Sequence, residues 1–199
     1  MCCAKEWAFH SMSGRDKFAK YKSVIRLIEA FYGCFPKKFQ RWLFNHIRGR
    51  KGNWGIVSRY ALIRNLAQEC GDNVVIDENV YIFNIHNISF GCNVSVNSMC
   101  YIDGFGGITI GNNVSIAHGS TIMSSSHKYQ GLDTPIKYQG IDAAPVYIED
   151  NVWIGAKATI LYGRRVASGS IVGANSVVTK DIGINEIWGG SPARKIKNR

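Results

Sequence analysis

The sequence predicts an all-β solenoid of about five coils, interrupted by one long loop and preceded by a basic helical segment. Three observations predict it. From Ile76 onward, bulky apolar residues recur every six positions, at 76, 82, 90, 96, 102, 110, 116, 122, 148, 154, 160, 166, 172 and 178; thirteen of the fourteen are Ile or Val, and the other is Phe90. The register breaks widely once, between Ile122 and Ile148, where a polar stretch carrying His127 is inserted. The net charge of +10 lies wholly in residues 1–70, which hold fourteen Lys or Arg against four Asp or Glu, whereas residues 71–199 hold ten of each. A six-residue repeat buries too little surface to fold alone, so its copies must stack.

The length of 199 residues suits one domain with an attached segment. Residues 1–70 are the basic helical part; residues 71–199 are the solenoid, with a loop at 124–145 and a tail at 183–199. In the first part, Asp16 to Cys34 reads as a helix, with Phe18, Tyr21, Ile25, Ile28 and Tyr32 three and four apart and Val24, Leu27 and Phe31 widening the stripe. Pro36 can open a second, short helix carrying Phe39, Trp42, Leu43 and Ile47 among Lys37, Lys38, Arg41 and Arg48. A third helix, from about Ile56 to Glu69, has Gly71 placed as its cap. It is expected to close the open end of the solenoid.

The first two helices have two readings. Basic residues beside Phe, Trp and Tyr suit peripheral contact of residues 1–52 with an anionic membrane surface. Plain packing on the solenoid is the alternative. No groove-reading motif supports nucleic acid. Met1–Lys20 lacks the apolar segment of a secretory signal, and no run approaches the ~18 apolar residues of a membrane span. The six cysteines form no C-x-x-C pair. The expectation is a cytoplasmic protein with reduced thiols, seated at the inner membrane surface if the helices bind lipid.

In the solenoid, the second hexad position is mostly small or acidic (Asp77, Gly91, Asp103, Gly111), and the fifth is small or β-branched (Val80, Val94, Ser120, Ser126, Val152). That fits a triangular coil with three hexads to a turn. Two extra residues enter between Ile82 and Phe90, and two more between Ile102 and Ile110 at Gly104–Gly107. Both are expected as corner bulges.

The stretches Ile148–Ala156, Val172-Gly173-Ala174, Val178-Thr179-Lys180-Asp181 and Gly189-Gly190-Ser191-Pro192-Ala193-Arg194 resemble the C-terminal signature of the hexapeptide-repeat acyltransferases. Residues 88–199 look most like the sugar O-acetyltransferases related to maltose and galactoside acetyltransferases. The resemblance implies a left-handed parallel β-helix, a homotrimer with its site at the subunit seam, and acetyl-CoA as co-substrate without a metal. The basic helices replace the acidic N-terminal segment of the small-sugar enzymes. This points away from a free disaccharide, toward a glycan acceptor in capsule, O-antigen or other surface polysaccharide synthesis.

Acyl transfer to a hydroxyl needs a base near the attacking oxygen, donors for the oxyanion and a cleft for the carrier. His127 stands where the family's catalytic histidine stands, and imidazole is suited to moving protons near neutral pH. By the same resemblance, Asn97 and Asp103 meet the acceptor. Ala156 and Ala174 lie along the pantetheine arm, and Thr179 and Lys180 near it and the phosphates. Arg194 and Lys197 meet the nucleotide end, and Trp153 lines the channel. Cations are the physical match for the phosphates of CoA. His118 reads as an exposed outward residue and His86 as a packed or corner residue. They and His127 lack the close histidine pair of a γ-carbonic anhydrase. Amino-sugar N-acetylation or antibiotic acetylation on the same scaffold is an alternative, and a non-catalytic β-helix is a rival of another class.

Overall fold

A computed structural model describes residues 14–199. The remaining residues of the basic segment, 1–13, lie outside the described part. Three helices come first: α1 (Gly14–Gly33), α2 (Lys37–Ile47) and α3 (Gly52–Leu66). Pro36 is the N-cap of α2, with φ −58° already suited to the turn that follows. The third helix differs from expectation at both ends. It starts at Gly52, and it stops at Leu66 because Ala67 turns to extended backbone, with ψ 162°. Glu69–Cys70 is then the first strand, paired with Ser89 and Phe90. Gly71 is therefore no helix cap. It lies at a corner where an added Cβ would come within 2.6 Å of the Gly91 carbonyl carbon, so close stacking of successive turns is what requires it.

The remainder is a left-handed parallel β-helix of about six turns. Its hand is opposite to that of ordinary crossover connections. Three parallel sheets form its sides. Sheet A contains 69–70, 88–90, 108–110, 146–148 and 165–166; sheet B 75–76, 95–96, 115–116, 153–154, 171–172 and 186–189; sheet C 81–83, 101–103, 121–123, 159–160 and 177–178. The register stacks the hexad leaders on one another. Ile76, Val96, Ile116, Ile154 and Val172 form one column, and Ile82, Ile102, Ile122, Ile160 and Val178 another. The winding outruns the hexad count at both ends. Glu69–Cys70 precedes the first leader, and Ile182 and Glu186–Gly189 extend sheets A and B past the last. A final strand, Arg194–Asn198, turns back antiparallel on Glu186–Gly189.

The fifth hexad positions Val80, Val94, Ser120, Val152, Ala158, Ser170 and Ser176 are buried as the pattern requires. Ser126 is not one of them: the chain has left the coil there, and Ser126 sits in the inserted ribbon. The buried hydroxyls are paired. Ser120 donates to the Gly155 carbonyl at 3.0 Å, and Ser170 to that of Gly183 at 2.6 Å. Such pairing removes the penalty of a buried polar group.

Helix α3 closes the first turn. Its Ala61, Leu62 and Ile63 are fully buried, and one continuous core runs from Ile25 and Phe44 through them to Ile182. Arg59 locks the junction. It is buried, donating from Nε to the Ile76 carbonyl (2.8 Å) and from Nη1 to that of Arg50 (2.6 Å). Helix α1 docks through Asp72, which accepts from Lys22 and Arg26, both at 2.7 Å. Among the described residues, no helix is long and apolar enough to cross a membrane.

Candidate functional site

All three register breaks fall on the same corner, where sheet C passes to sheet A. The first is a 3-10 turn, Ile85–Asn87. The second is Gly104–Gly107. The third is a two-stranded ribbon, Ser125–His127 against Ile141–Ala143, with His127 opposite Ile141. Asn84, Gly104 and Ser124 occupy equivalent positions, each two residues past a hexad leader.

Ser124 roots the ribbon. It is fully buried, donates from Oγ to the Asp103 carbonyl at 2.7 Å and accepts from the Gly106 N–H at 2.8 Å. Gly106 must be glycine, since a Cβ would lie 2.3 Å from the Ser124 carbonyl oxygen. Three residues on, the His127 ring is exposed, and no described group hydrogen-bonds it. Lys128 and Asp142 face each other across the ribbon at 3.7 Å. Beyond them Gln139 braces the loop tip, bonding to Gly131 through both amide atoms and donating to the Thr134 carbonyl. The tip nevertheless exposes Leu132, Ile136 and Tyr138.

Asp103 lies at the base of this ribbon, paired in register with Met123. Its Oδ1 accepts from Asn84 Nδ2 at 2.8 Å and from the Phe105 N–H at 3.1 Å. Among the described residues, Oδ2 receives no hydrogen bond. The structure thus brings Asp103 and His127 to one corner. Thr179 and Lys180 follow the last strand of sheet C on the same edge, and Lys180 is exposed.

The other predicted residues lie on a different edge. Asn97, Ala156 and Ala174 follow sheet B strands at the corner where B passes to C. The Ala156 carbonyl accepts from the Asn175 N–H. Trp153 is exposed on sheet B, and Arg194 and Lys197 stand on its returning strand. Lys195 between them is engaged by Glu186, 2.5 Å away. That bond, with those from Trp188 and the Gly183 N–H, pulls the Glu186 carboxyl down to about 2. Arg194 and Lys197 face no carboxylate within bonding distance among the described residues. One side of the prism separates the two edges, roughly 15 Å for five extended residues. His86 is the corner residue of the two readings, exposed in the 3-10 turn at the C–A corner and not packed; His118 is exposed. No group of three or more His, Cys, Asp or Glu among the described residues could hold a metal ion.

The bacterial transferase hexapeptide model (six repeats) matches residues 145–180. A galactoside O-acetyltransferase of Lactococcus lactis is 32% identical over 142 residues, covering 69% of this chain and 67% of its own. A crystal structure of a maltose O-acetyltransferase from Clostridium difficile is 30% identical with a TM-score of 0.70, covering 81% of this chain and 85% of that one. The chain belongs to the hexapeptide-repeat acetyltransferases. A galactoside acetyltransferase solved in complex with coenzyme A superimposes with a TM-score of 0.71 at 28% identity, covering 83% of each chain.

Two residues of this hexapeptide-repeat acetyltransferase escaped the sequence reading. Asn84 orients Asp103, and Ser124 roots the ribbon. Their signal was the shared position two past a hexad leader, which shows only when the three insertions are placed on one corner.

Proposed function

We propose that the protein transfers an acetyl group from acetyl-CoA to a sugar hydroxyl, with His127 as general base. The observation that carries this reading is the exposed His127 ring, held on a braced ribbon rooted beside Asp103. Asp103 Oδ2 is turned to accept from an acceptor hydroxyl. An imidazole nitrogen of His127 takes up the proton as that oxygen becomes a nucleophile. The Asn97 carboxamide and a backbone N–H supply hydrogen bonds to the reacting groups. Acetyl-CoA supplies the acetyl group as a thioester. Its fit rests on this chain's own surface. Ala156 and Ala174 are small residues following the sheet B strands, one of which carries the exposed Trp153; Arg194 and Lys197 on the returning strand, and Lys180 on the C–A edge, are exposed cations suited to phosphates.

The separation of the two edges supports assembly. A single acceptor cannot reach His127 and Asn97 across one side of the prism. A cyclic homotrimer that seats the C–A edge of one copy against the B–C edge of the next brings them together. The apolar loop tip, Leu132, Ile136 and Tyr138, would be covered in such a seam. We place the reaction in the cytoplasm, where thiols stay reduced, and the acceptor among the sugars of surface polysaccharide synthesis, in keeping with the basic N-terminal segment.

The test is release of CoA on mixing the protein, acetyl-CoA and a panel of sugar acceptors. Mild base treatment of the product separates the chemistries: an O-acetyl ester is cleaved and an N-acetyl amide survives. His127→Ala is expected to lower turnover at least ~10²-fold with the fold unchanged. Normal turnover in that variant overturns the mechanism; no CoA release with any acceptor favours a non-catalytic scaffold.

A further inference from the structure

Helix α1 uses two faces. Ile25 is buried against the core, with Phe18 and Tyr32 packed beside it. On the opposite side Val24, Leu27 and Phe31 are exposed, Leu27 by 72%. The ring contacts then continue without a gap into α2. Phe31 meets Phe35 at 5.3 Å, Phe35 meets Phe39 at 5.1 Å, and Phe39 stacks on Trp42 at 5.4 Å. Phe39 and Trp42 are themselves exposed. The result is one apolar ridge spanning two helices. Contiguous exposed apolar surface of this kind marks an interaction site.

The charge around the ridge is of one sign. Lys17 and Lys20 flank its α1 end, and Lys38 and Arg41 its α2 end, all four exposed. From residue 17 to residue 51 there are ten Lys or Arg and a single acidic residue, Glu29. Glu29 is taken up by Arg26 and Arg64. An apolar ridge rimmed by cations matches the interface of an anionic bilayer, where rings enter the headgroup region and lysines stay above it. A second copy is a poor match, since a symmetric pair would set Lys38 and Arg41 against their own kind.

We infer that the Val24–Trp42 ridge of α1 and α2 is a docking surface for an anionic membrane leaflet, holding the enzyme at the lipid surface. The acetyltransferase reading is not needed for this inference, and its test reads no turnover.

The full-length protein is sedimented with vesicles of phosphatidylcholine alone and of phosphatidylcholine mixed with phosphatidylglycerol. Binding is expected only with phosphatidylglycerol present, and it is expected to vanish at high salt. Lys38→Ala with Arg41→Ala is expected to weaken binding roughly 25-fold, about fivefold for each cation near such a surface. Phe39→Ala with Trp42→Ala is expected to abolish it while the circular dichroism spectrum and melting temperature hold. Absence of binding to either vesicle overturns the proposal. Equal binding to both, or binding that both double variants leave intact, also overturns it. An assembly that shrinks on Phe39→Ala with Trp42→Ala assigns the ridge to a second copy and overturns it as well.

Discussion

At the scale of single residues, the corners are governed by a position that the apolar pattern does not show. The fourth residue of ten of the fourteen hexads has positive φ; three of the other four belong to the hexads that open onto the C–A insertions. Asn79, Asn93, Asn113, Asn151 and Asn175 carry the positive φ, all between 56° and 58°, with glycine at 119, 163 and 169. Asparagine tolerates this region because its short polar side chain bonds locally. Asn73 and Asn93 add a side-chain bond between successive turns, Nδ2 of Asn73 donating to Oδ1 of Asn93 at 3.0 Å. Two corners depart from the rule: Met99 (φ 64°) and Lys157 (φ 56°). A left-handed conformation costs an ordinary residue about 1 kcal/mol. Met99→Asn should therefore stabilise the protein by up to that amount and raise the melting temperature by about 2–4 °C. A thermal melt checks this, and an unchanged or lower melting temperature would show that Met99 is held by contacts that outweigh its backbone. At the same scale, Asn84→Ala should raise KM for the acceptor and leave that for acetyl-CoA unchanged, because Asn84 touches only the Asp103 end of the proposed site.

At the scale of elements, the ribbon is rooted by Ser124, and α1 is held by its buried Ile25 together with ion pairs to Asp72 and Arg64. Ser124→Ala strands the partly buried Gly106 N–H, which should cost ~1 kcal/mol and lower activity further by loosening His127; urea unfolding and turnover measure the two effects. For α1 the group that gathers the most charge is Asp72. The Lys22 hydrogen bond, with the charges of Lys22, Arg26 and Arg64, keeps its carboxyl below the usual range. Its contribution is therefore full above the unfolded value of about 4 and is lost as pH falls through the lower folded value. These groups are partly exposed, so the effect is at most about 1 kcal/mol. Asp72→Asn should lower the melting temperature at neutral pH, and the gap from wild type should close on strong acidification. A gap that persists in acid would mean that packing, not charge, docks α1. The helices were legible from periodicity, and α3 was misjudged only at its ends. Gly71 looked like a cap because the sequence does not reveal that Cys70 already pairs with Phe90. The hexads were legible because every coil repeats the same burial. The extra turn was not, since Cys70 keeps the six-residue spacing before Ile76 but is neither Ile nor Val, and Ile182 and Trp188 fall off that spacing after Val178.

At the scale of the whole molecule, the residues proposed for one reaction divide between two edges of a rigid prism. His127 and Asp103 lie where C meets A, Asn97 where B meets C. Spacing alone could not reveal this division, because residues six apart in a hexad repeat land on different corners although they look like neighbours. The division makes the trimer testable without a structure of it. If each site joins the C–A edge of one copy to the B–C edge of the next, then His127→Ala and Asn97→Ala chains are each inactive alone but complementary together. In a mixed trimer, a site that takes its histidine from the Asn97→Ala chain and its asparagine from the His127→Ala chain is intact. With equal amounts refolded together and random assembly in a cyclic ring, about one quarter of sites should regain both residues. Turnover near a quarter of wild type is the expected result, with acetyl-CoA saturating. Turnover that stays at the level of the separate variants, in mixed trimers verified by differential tagging, would place both residues in the same chain's site and overturn the seam.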